Sequence, residues 1–304
     1  MKWIKKGLIH APTKKNWWNL KYDILPVPIY LENDNIIRIF FGTTDKNNFG
    51  RISFLDLDAE CPSRILYEHD SYVLDIGEDG TFDDCGVVPS CILKVKGTYF
   101  LYTVGFQRTI KTPYMLFAGL AKSNNLLDFE RVSKAPILKR TENRYISQGA
   151  PCVIFENGTY KMWHWYANEW INVDGKQFMD YHIGYAESNN AITWEMHPDP
   201  CIWPRKEFGE FAVARPWVFK KNGIYHMYYS TRYQKKLYRI EYATSIDGKK
   251  WNRDYEPPFD VSSEGWDSEM ICYSSIVSSS AKTYMFYNGN NNGESGFGYA
   301  ELVI

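Results

Sequence analysis

A short pattern of five or six residues returns five times along the chain, and a chain built that way is a set of repeated units, not a single irregular core. The copies are Pro26–Leu31, Val87–Ile92, Gly149–Ile154, Ala214–Phe219 and Tyr273–Val277. Each runs through a short polar turn into a second apolar strand: Ile36–Phe41, Tyr99–Thr103, Tyr160–His164, Tyr225–Ser230 and Tyr284–Asn288. The anchor residues Pro28, Pro89, Pro151, Pro216 and Ser275 lie about 60 residues apart, a fixed period that marks a repeat architecture. Five copies fill the chain. The expected fold is all-β: a five-bladed β-propeller with four-stranded antiparallel blades around a central channel. The blades fall roughly at 22–80, 81–145, 146–208, 209–266 and 267–304, with residues 1–21 completing the ring.

Local chemistry agrees with hairpins. Glu156-Asn157-Gly158 and Lys221-Asn222-Gly223 supply the positive φ that tight turns need. Third strands recur around Gly119, Gly184 and Gly298, and these glycines are expected to let neighbouring blades pack closely. Ser188–Trp194 and Ser245–Trp251 share a Ser-x-Asn/Asp turn with a Trp that opens a fourth strand. No long stretch carries a 3.6-residue apolar period, so little helix is expected.

Three hundred residues bury a large core in one propeller domain. Aromatics make up 17% of the chain, more than core packing requires, which suggests a ring-lined surface of the kind that binds sugars through their C–H faces. The formal net charge is −1 and no basic run stands out, which argues against nucleic acid and membrane surfaces as partners. The N-terminal run lacks an apolar export segment and no segment is long enough to span a bilayer, so no membrane insertion and a cytoplasmic location are expected. Six scattered cysteines (Cys61, Cys85, Cys91, Cys152, Cys201, Cys272) are read as small core residues in a reducing compartment. No His/Cys/carboxylate cluster calls for a metal, and no cofactor is expected. His164 and His226 sit inside strands and are read as structural.

In a propeller the first strands of all blades start on one face, and that face makes the pocket. Just upstream of the anchors lie Asp23, the pair Asp83-Asp84, Gln148, Glu210 with Arg215, and Asp267 with Glu269. Loops after the second strands add Asp45, Arg108, Trp165, Arg232 and the Asn288-Gly289-Asn290 turn. Asp83 points to the opposite side of an extended strand from Asp84 and is read, like Asp267, as a turn cap.

Acidic residues opening the inner strands of five blades resemble the propeller clan of glycosidases: arabinanases and xylosidases, invertases and levansucrases, and mannoside phosphorylases. A nearer resemblance is to propeller proteins encoded among bacterial surface-polysaccharide genes. It is carried by Gly80–Ser90, Ala212–Pro216, Gly265–Met270 and Tyr287–Asn290 with Gly296–Ala300. The resemblance implies a carbohydrate substrate and, in some clan members, an ion in the central channel. Two departures stand out. Where the clan places the glutamate that acts as general acid, this chain has Gln148, which cannot donate a titrating proton. Where the polysaccharide-locus relatives carry a His-Ala-Gln-Asn-like run, this chain has Tyr22-Asp23-Ile24-Leu25.

Cleaving a glycosidic bond takes one protonated and one ionised carboxylate. By position the catalytic candidates are Asp84 as the ionised member and Glu210 or Glu269 as the acid. Asp23, Asp45, Gln148, Trp165, Asn288 and Asn290 are candidates for substrate binding. Arg108, Arg215 and Arg232 form a second set, whose guanidinium forks suit a phosphate or carboxylate. Arg215, which precedes a proline, is expected to be extended. The loop from Trp170 to Asp180 is expected to form a rim or lid. Three functions fit: a glycoside hydrolase acting on a furanoside or short oligosaccharide; a glycosyl-transferring enzyme or phosphorylase using a sugar phosphate or nucleotide sugar in polysaccharide assembly; and a non-catalytic glycan-binding propeller.

Overall fold

Alternating apolar residues and closely spaced turn signals make strands throughout, and the computed structural model of the chain describes residues 2–254 and 256–303. The first strand, β1 (Lys2–His10), precedes the repeated units in the chain. Unit one is β2 (Lys21–Leu31), β3 (Ile36–Thr44), β4 (Gly50–Asp58) and β5 (Ile65–Glu68), paired in that order. Unit two is β6 (Val87–Val95), β7 (Thr98–Arg108), β8 (Tyr114–Ser123) and β9 (Glu130–Arg131). Unit three begins with β10 (Ser147–Glu156) and β11 (Thr159–Ala167), detours through a separate hairpin, β12 (Trp170–Val173) and β13 (Lys176–Met179), and ends with β14 (His182–Ser188) and β15 (Glu195–Met196). Unit four is β16 (Glu210–Lys221), β17 (Ile224–Tyr233), β18 (Arg239–Ser245) and β19 (Asn252–Arg253). Unit five is β20 (Cys272–Ser278), β21 (Thr283–Asn288) and β22 (Phe297–Val303), and β1 pairs antiparallel with β22 as its fourth strand. Among the described residues the α-helix is a single short turn, Asn290–Gly293.

The five first strands are neighbours in a cycle: β2 packs on β6, β6 on β10, β10 on β16, β16 on β20, and β20 back on β2. Side chains sew them together. Ser90 Oγ donates to the Pro151 carbonyl (2.8 Å) and Ser275 Oγ to that of Pro26 (2.6 Å). The sulfurs of Cys91 and Cys152 accept the backbone N–H groups of Val153 (3.4 Å) and Val218 (3.2 Å). The cysteine reading therefore holds in the core, where these two also tie strands together, but Cys61 is exposed and Cys85 half-buried. All six thiols are free.

Four first strands carry the same irregularity. Leu25-Pro26, Ala150-Pro151, Arg215-Pro216 and Tyr273-Ser274 each set two residues against one on the partner strand. The leading residue of each pair is left-handed, with φ of 59°, 45°, 54° and 57°. A bulge of this kind bends the strand and re-aims a side chain. It also corrects two sequence expectations. Arg215 is not extended, because the bulge outweighs the preference imposed by the following proline. The structural equivalents of Pro151 and Pro216 are Pro26 and Ser274, not Pro28 and Ser275.

The third-strand glycines serve a different purpose from the one expected. A Cβ on Gly119 would meet the Phe82 ring at 2.6 Å, and one on Gly298 would meet Trp266 at 2.5 Å. Both rings belong to segments entering the same unit, so these glycines seat an incoming aromatic instead of a neighbouring unit. The chain's start is locked in several ways. The Trp3 indole N–H donates to the Tyr228 hydroxyl (3.0 Å), and Lys5 pairs with buried Asp267 (2.8 Å).

Candidate functional site

The bulges aim Leu25, Ala150, Arg215 and Tyr273 into a common cavity of about 690 Å³, with Val88 from β6 completing its floor. The walls are aromatic: Tyr22, Tyr114, Trp165, Phe178, Tyr181 and Tyr238. Trp165 packs on Tyr181 (centroids 4.3 Å), and Tyr114 meets Trp170 at the base of the β12–β13 hairpin (5.8 Å). The hairpin is a wall of the cavity, through Gln177 and Phe178. Its neck is pinned by Asp180, whose carboxylate accepts the backbone N–H groups of Asn168 (3.0 Å) and Glu169 (2.9 Å).

Arg108, Arg215 and Arg232 all line this cavity. Arg108 stands at the rim, its guanidinium 4.6 Å from the Phe49 ring centroid, and donates to the Asn47 carbonyl. Arg232 lies between Phe178 (4.8 Å) and Tyr238 (4.5 Å), with its buried Nη1 lacking a hydrogen-bond partner among the described residues. Arg215 is 1% exposed, its guanidinium 5.4 Å from the Trp217 ring centroid, and none of its three side-chain nitrogens has a hydrogen-bond partner among the described residues. Burial lowers its pKa to about 10, which still leaves it charged at neutral pH. A buried charge without a counter-ion costs several kcal/mol, on the order of the penalty for removing one partner of an ion pair. The channel cation that the clan resemblance implies does not fit beside this guanidinium.

The proposed carboxylates are not brought together. Glu210 is held away from the cavity, accepting from Arg205 (2.8 and 3.0 Å, with the Arg205 backbone N–H at 2.8 Å) and from Arg253 (2.9 Å to each oxygen). Glu269 is exposed and outside the cavity lining. Asp84 alone of the three adjoins the cavity, through the neighbouring lining residue Cys85. Its Oδ2 accepts the Gly80 N–H (3.0 Å), and its buried Oδ1 has no partner among the described residues. Burial and, more weakly, Asp84 hold the Cys85 thiol above its ordinary pKa. Asp83 is buried against Arg131 (2.8 Å).

The remaining candidates divide between wall and framework. Trp165 lines the cavity; Gln148 does not, and its Nε2 donates to the Lys139 carbonyl (2.7 Å). Asp45 pairs with Arg51 (3.1 Å) and caps the turn that presents Asn47 and Asn48 to the cavity. Asp23 is fully buried against His10 (2.9 Å), and Asn288 accepts the Leu25 N–H (2.8 Å) while donating to the Asp23 carbonyl (2.6 Å). Asn290 caps Glu269 and Met270, and it is Asn292 that reaches the cavity. The lining tyrosines were missed. Their signal was the position before the anchor, where Tyr273 stands, and the residue just before the third strand of unit four, where Tyr238 stands.

A curated relative, the Mycobacterium tuberculosis (strain H37Rv) protein Rv1502, described as uncharacterized, is 34% identical over 303 residues, covering 99% of each chain. The chain belongs to the Rv1502 family. Within this Rv1502-family chain, residues 170–293 match a second family, glycoside hydrolase family 130, described as β-1,4-mannooligosaccharide phosphorylase. Solved structures share the fold at low identity. A glycosyl hydrolase from Bacteroides ovatus superposes with a TM-score of 0.72 at 15% identity over 99% of this chain and 90% of its own. An endo-arabinase from Bacteroides thetaiotaomicron gives 0.69 at 12% identity over 98% of each. The Rv1502-family fold is thus the all-β fold of propeller glycosidases. Among the described residues no helix is long and apolar enough to cross a membrane, and no group of three or more His, Cys, Asp or Glu is placed to hold a metal ion.

Proposed function

We propose that the chain is a carbohydrate-active enzyme that exchanges a glycosidic bond with phosphate, its five four-stranded units being the blades of a five-bladed propeller. The observation that carries this reading is the cavity's charge. Three guanidiniums line it, one of them without a hydrogen-bond partner among the described residues, while no carboxylate stands among the described lining residues and Asp84 adjoins the cavity through Cys85. Two-carboxylate hydrolysis needs a second carboxylate to activate water or attack the sugar. Phosphorolysis does not, because the phosphate oxyanion is itself the nucleophile. A phosphate oxygen bonds to the anomeric carbon and the glycosidic C–O bond breaks; with Glu210 and Glu269 outside the cavity, the role of general acid passes to Asp84, expected from the sequence as the ionised member, which gives a proton to the departing oxygen. The products are a glycosyl phosphate and an oligosaccharide shortened by one unit. The arginines hold the phosphate by charge-assisted forks, and the aromatic walls pack on the sugar's C–H faces.

The family 130 match supports the same reading, since it spans both Arg215 and Arg232. The test is to incubate the protein with short β-1,4-mannooligosaccharides with and without inorganic phosphate and to separate the products. A glycosyl phosphate formed only with phosphate supports the reading. Free monosaccharide released equally without phosphate makes the chain a hydrolase. Sugar binding without turnover makes it a glycan-binding module.

A further inference from the structure

We propose that the rim of unit four carries a second carbohydrate contact, an aromatic platform of Trp203 and Phe208 that holds the outer part of a neutral sugar chain whose end occupies the cavity. The inference rests on the glycosidic reading above and extends it to chain length. Trp203 and Phe208 are each 57% exposed, although large aromatic rings are ordinarily well buried. Their loop is nevertheless fixed. Buried Glu210 accepts the backbone N–H of Arg205 (2.8 Å) and binds the guanidiniums of Arg205 and Arg253 (2.8 and 2.9 Å). Arg253 donates in turn to the Trp203 carbonyl (3.1 Å), and the Arg205 guanidinium lies 4.9 Å from the Phe208 ring centroid.

The same loop is continuous with the cavity wall. The Gly209 carbonyl accepts the N–H of Gln234, two residues beyond Arg232 (2.9 Å). Phe211, next after Glu210, packs on Phe178 of the hairpin wall (5.6 Å). A protein partner is disfavoured, because exposed Lys206 and Glu207 separate the two rings and break up the apolar surface that a stable interface needs. A sugar needs only one ring face with polar groups beside it, which is the arrangement present.

The platform is tested with the Trp203→Ala/Phe208→Ala double variant, whose exposed side chains leave the fold intact, checked by an unchanged melting temperature. Migration is followed in native gels containing β-mannan, β-glucan or arabinan, and affinities are measured for β-1,4-mannooligosaccharides of increasing length and for inorganic phosphate. The expected result is retardation of the wild type by at least one polymer. Its affinity gain with chain length should fall at least fivefold in the variant and return in Trp203→Phe, with phosphate affinity unchanged. A length dependence equal in wild type and variant overturns the platform and leaves the cavity reading standing. A wild type that binds no glycan of any length also overturns it, and phosphate binding then judges the cavity reading separately.

Discussion

Arg215 concentrates the chemistry of the site in one side chain. It is buried, charged and, among the described residues, without a hydrogen-bond partner, on a left-handed residue that the bulge turns into the cavity. Removing a charge-assisted contact costs about 1.5–3 kcal/mol. Arg215→Met should therefore weaken inorganic phosphate binding by roughly ten- to a hundredfold while leaving the affinity for a neutral sugar nearly unchanged, as calorimetry would show; equal losses for both would remove the anion role. The Arg215→Met protein should also melt no lower than wild type, because an unpaired buried charge is destabilising in the free protein. Asp84→Asn should reduce turnover by about 10²–10⁴-fold, the usual contribution of a general acid, with little change in melting temperature. At this scale the cavity-lining position of the arginines was legible in the sequence, from Arg215 before its anchor proline and from Arg108 and Arg232 near the ends of second strands, although these two lie within β7 and β17 and not in the loops after them. That of the carboxylates was not. Glu210, Asp23 and Asp45 sit at the expected strand ends, but folding brings basic side chains onto them: Arg205 and Arg253 onto Glu210, His10 onto Asp23 and Arg51 onto Asp45.

At the level of elements, the first strand of each unit does two jobs. Its outer half pairs regularly, and in four of the five units its bulge points one side chain into the cavity. The repeat was visible from spacing and turn chemistry. The bulge was not, since Pro28 mimics the motif two residues downstream of the true equivalent, Pro26. The loop from Trp170 to Asp180 is a paired hairpin that walls the cavity, in line with its reading as a rim. Glu210 belongs to this scale too, as the anchor of the rim of unit four. Breaking a buried ion pair costs about 3–5 kcal/mol, so Glu210→Gln should lower the melting temperature markedly. A stable Glu210→Gln protein that has lost activity would instead return Glu210 to the chemistry.

Across the whole molecule, unit one meets unit five through β2 and β20. There His10 of β1 touches Asp23 of β2 (2.9 Å) and Glu68 of β5 (3.3 Å), with Lys15 3.8 Å from Glu68 and the rings of Phe41 and Phe297 against the imidazole. Burial raises the Asp23 pKa to about 6, with His10 opposing. Burial works against the imidazolium of His10, yet Asp23 and Glu68 hold its pKa above the ordinary value. Both groups bind protons more tightly folded than unfolded. Their stabilisation is present in acid and is lost as the pH rises through about 6 and beyond. His164 acts in the opposite sense. Burial lowers its pKa to about 3, so its contribution is present above its ordinary value of 6.5 and lost as the pH falls. The melting temperature should therefore crest in mildly acid solution, and Asp23→Asn should flatten its decline between about pH 5 and pH 8. An unchanged slope would show that the clasp does not titrate.

The central claim is that the cavity takes an anion on its arginines, and calorimetric titration of the wild type with inorganic phosphate tests it most directly. The account predicts saturable binding of one phosphate per chain, weakened at least tenfold in Arg215→Met. No phosphate binding by the wild type, or binding that Arg215→Met leaves untouched, would contradict it.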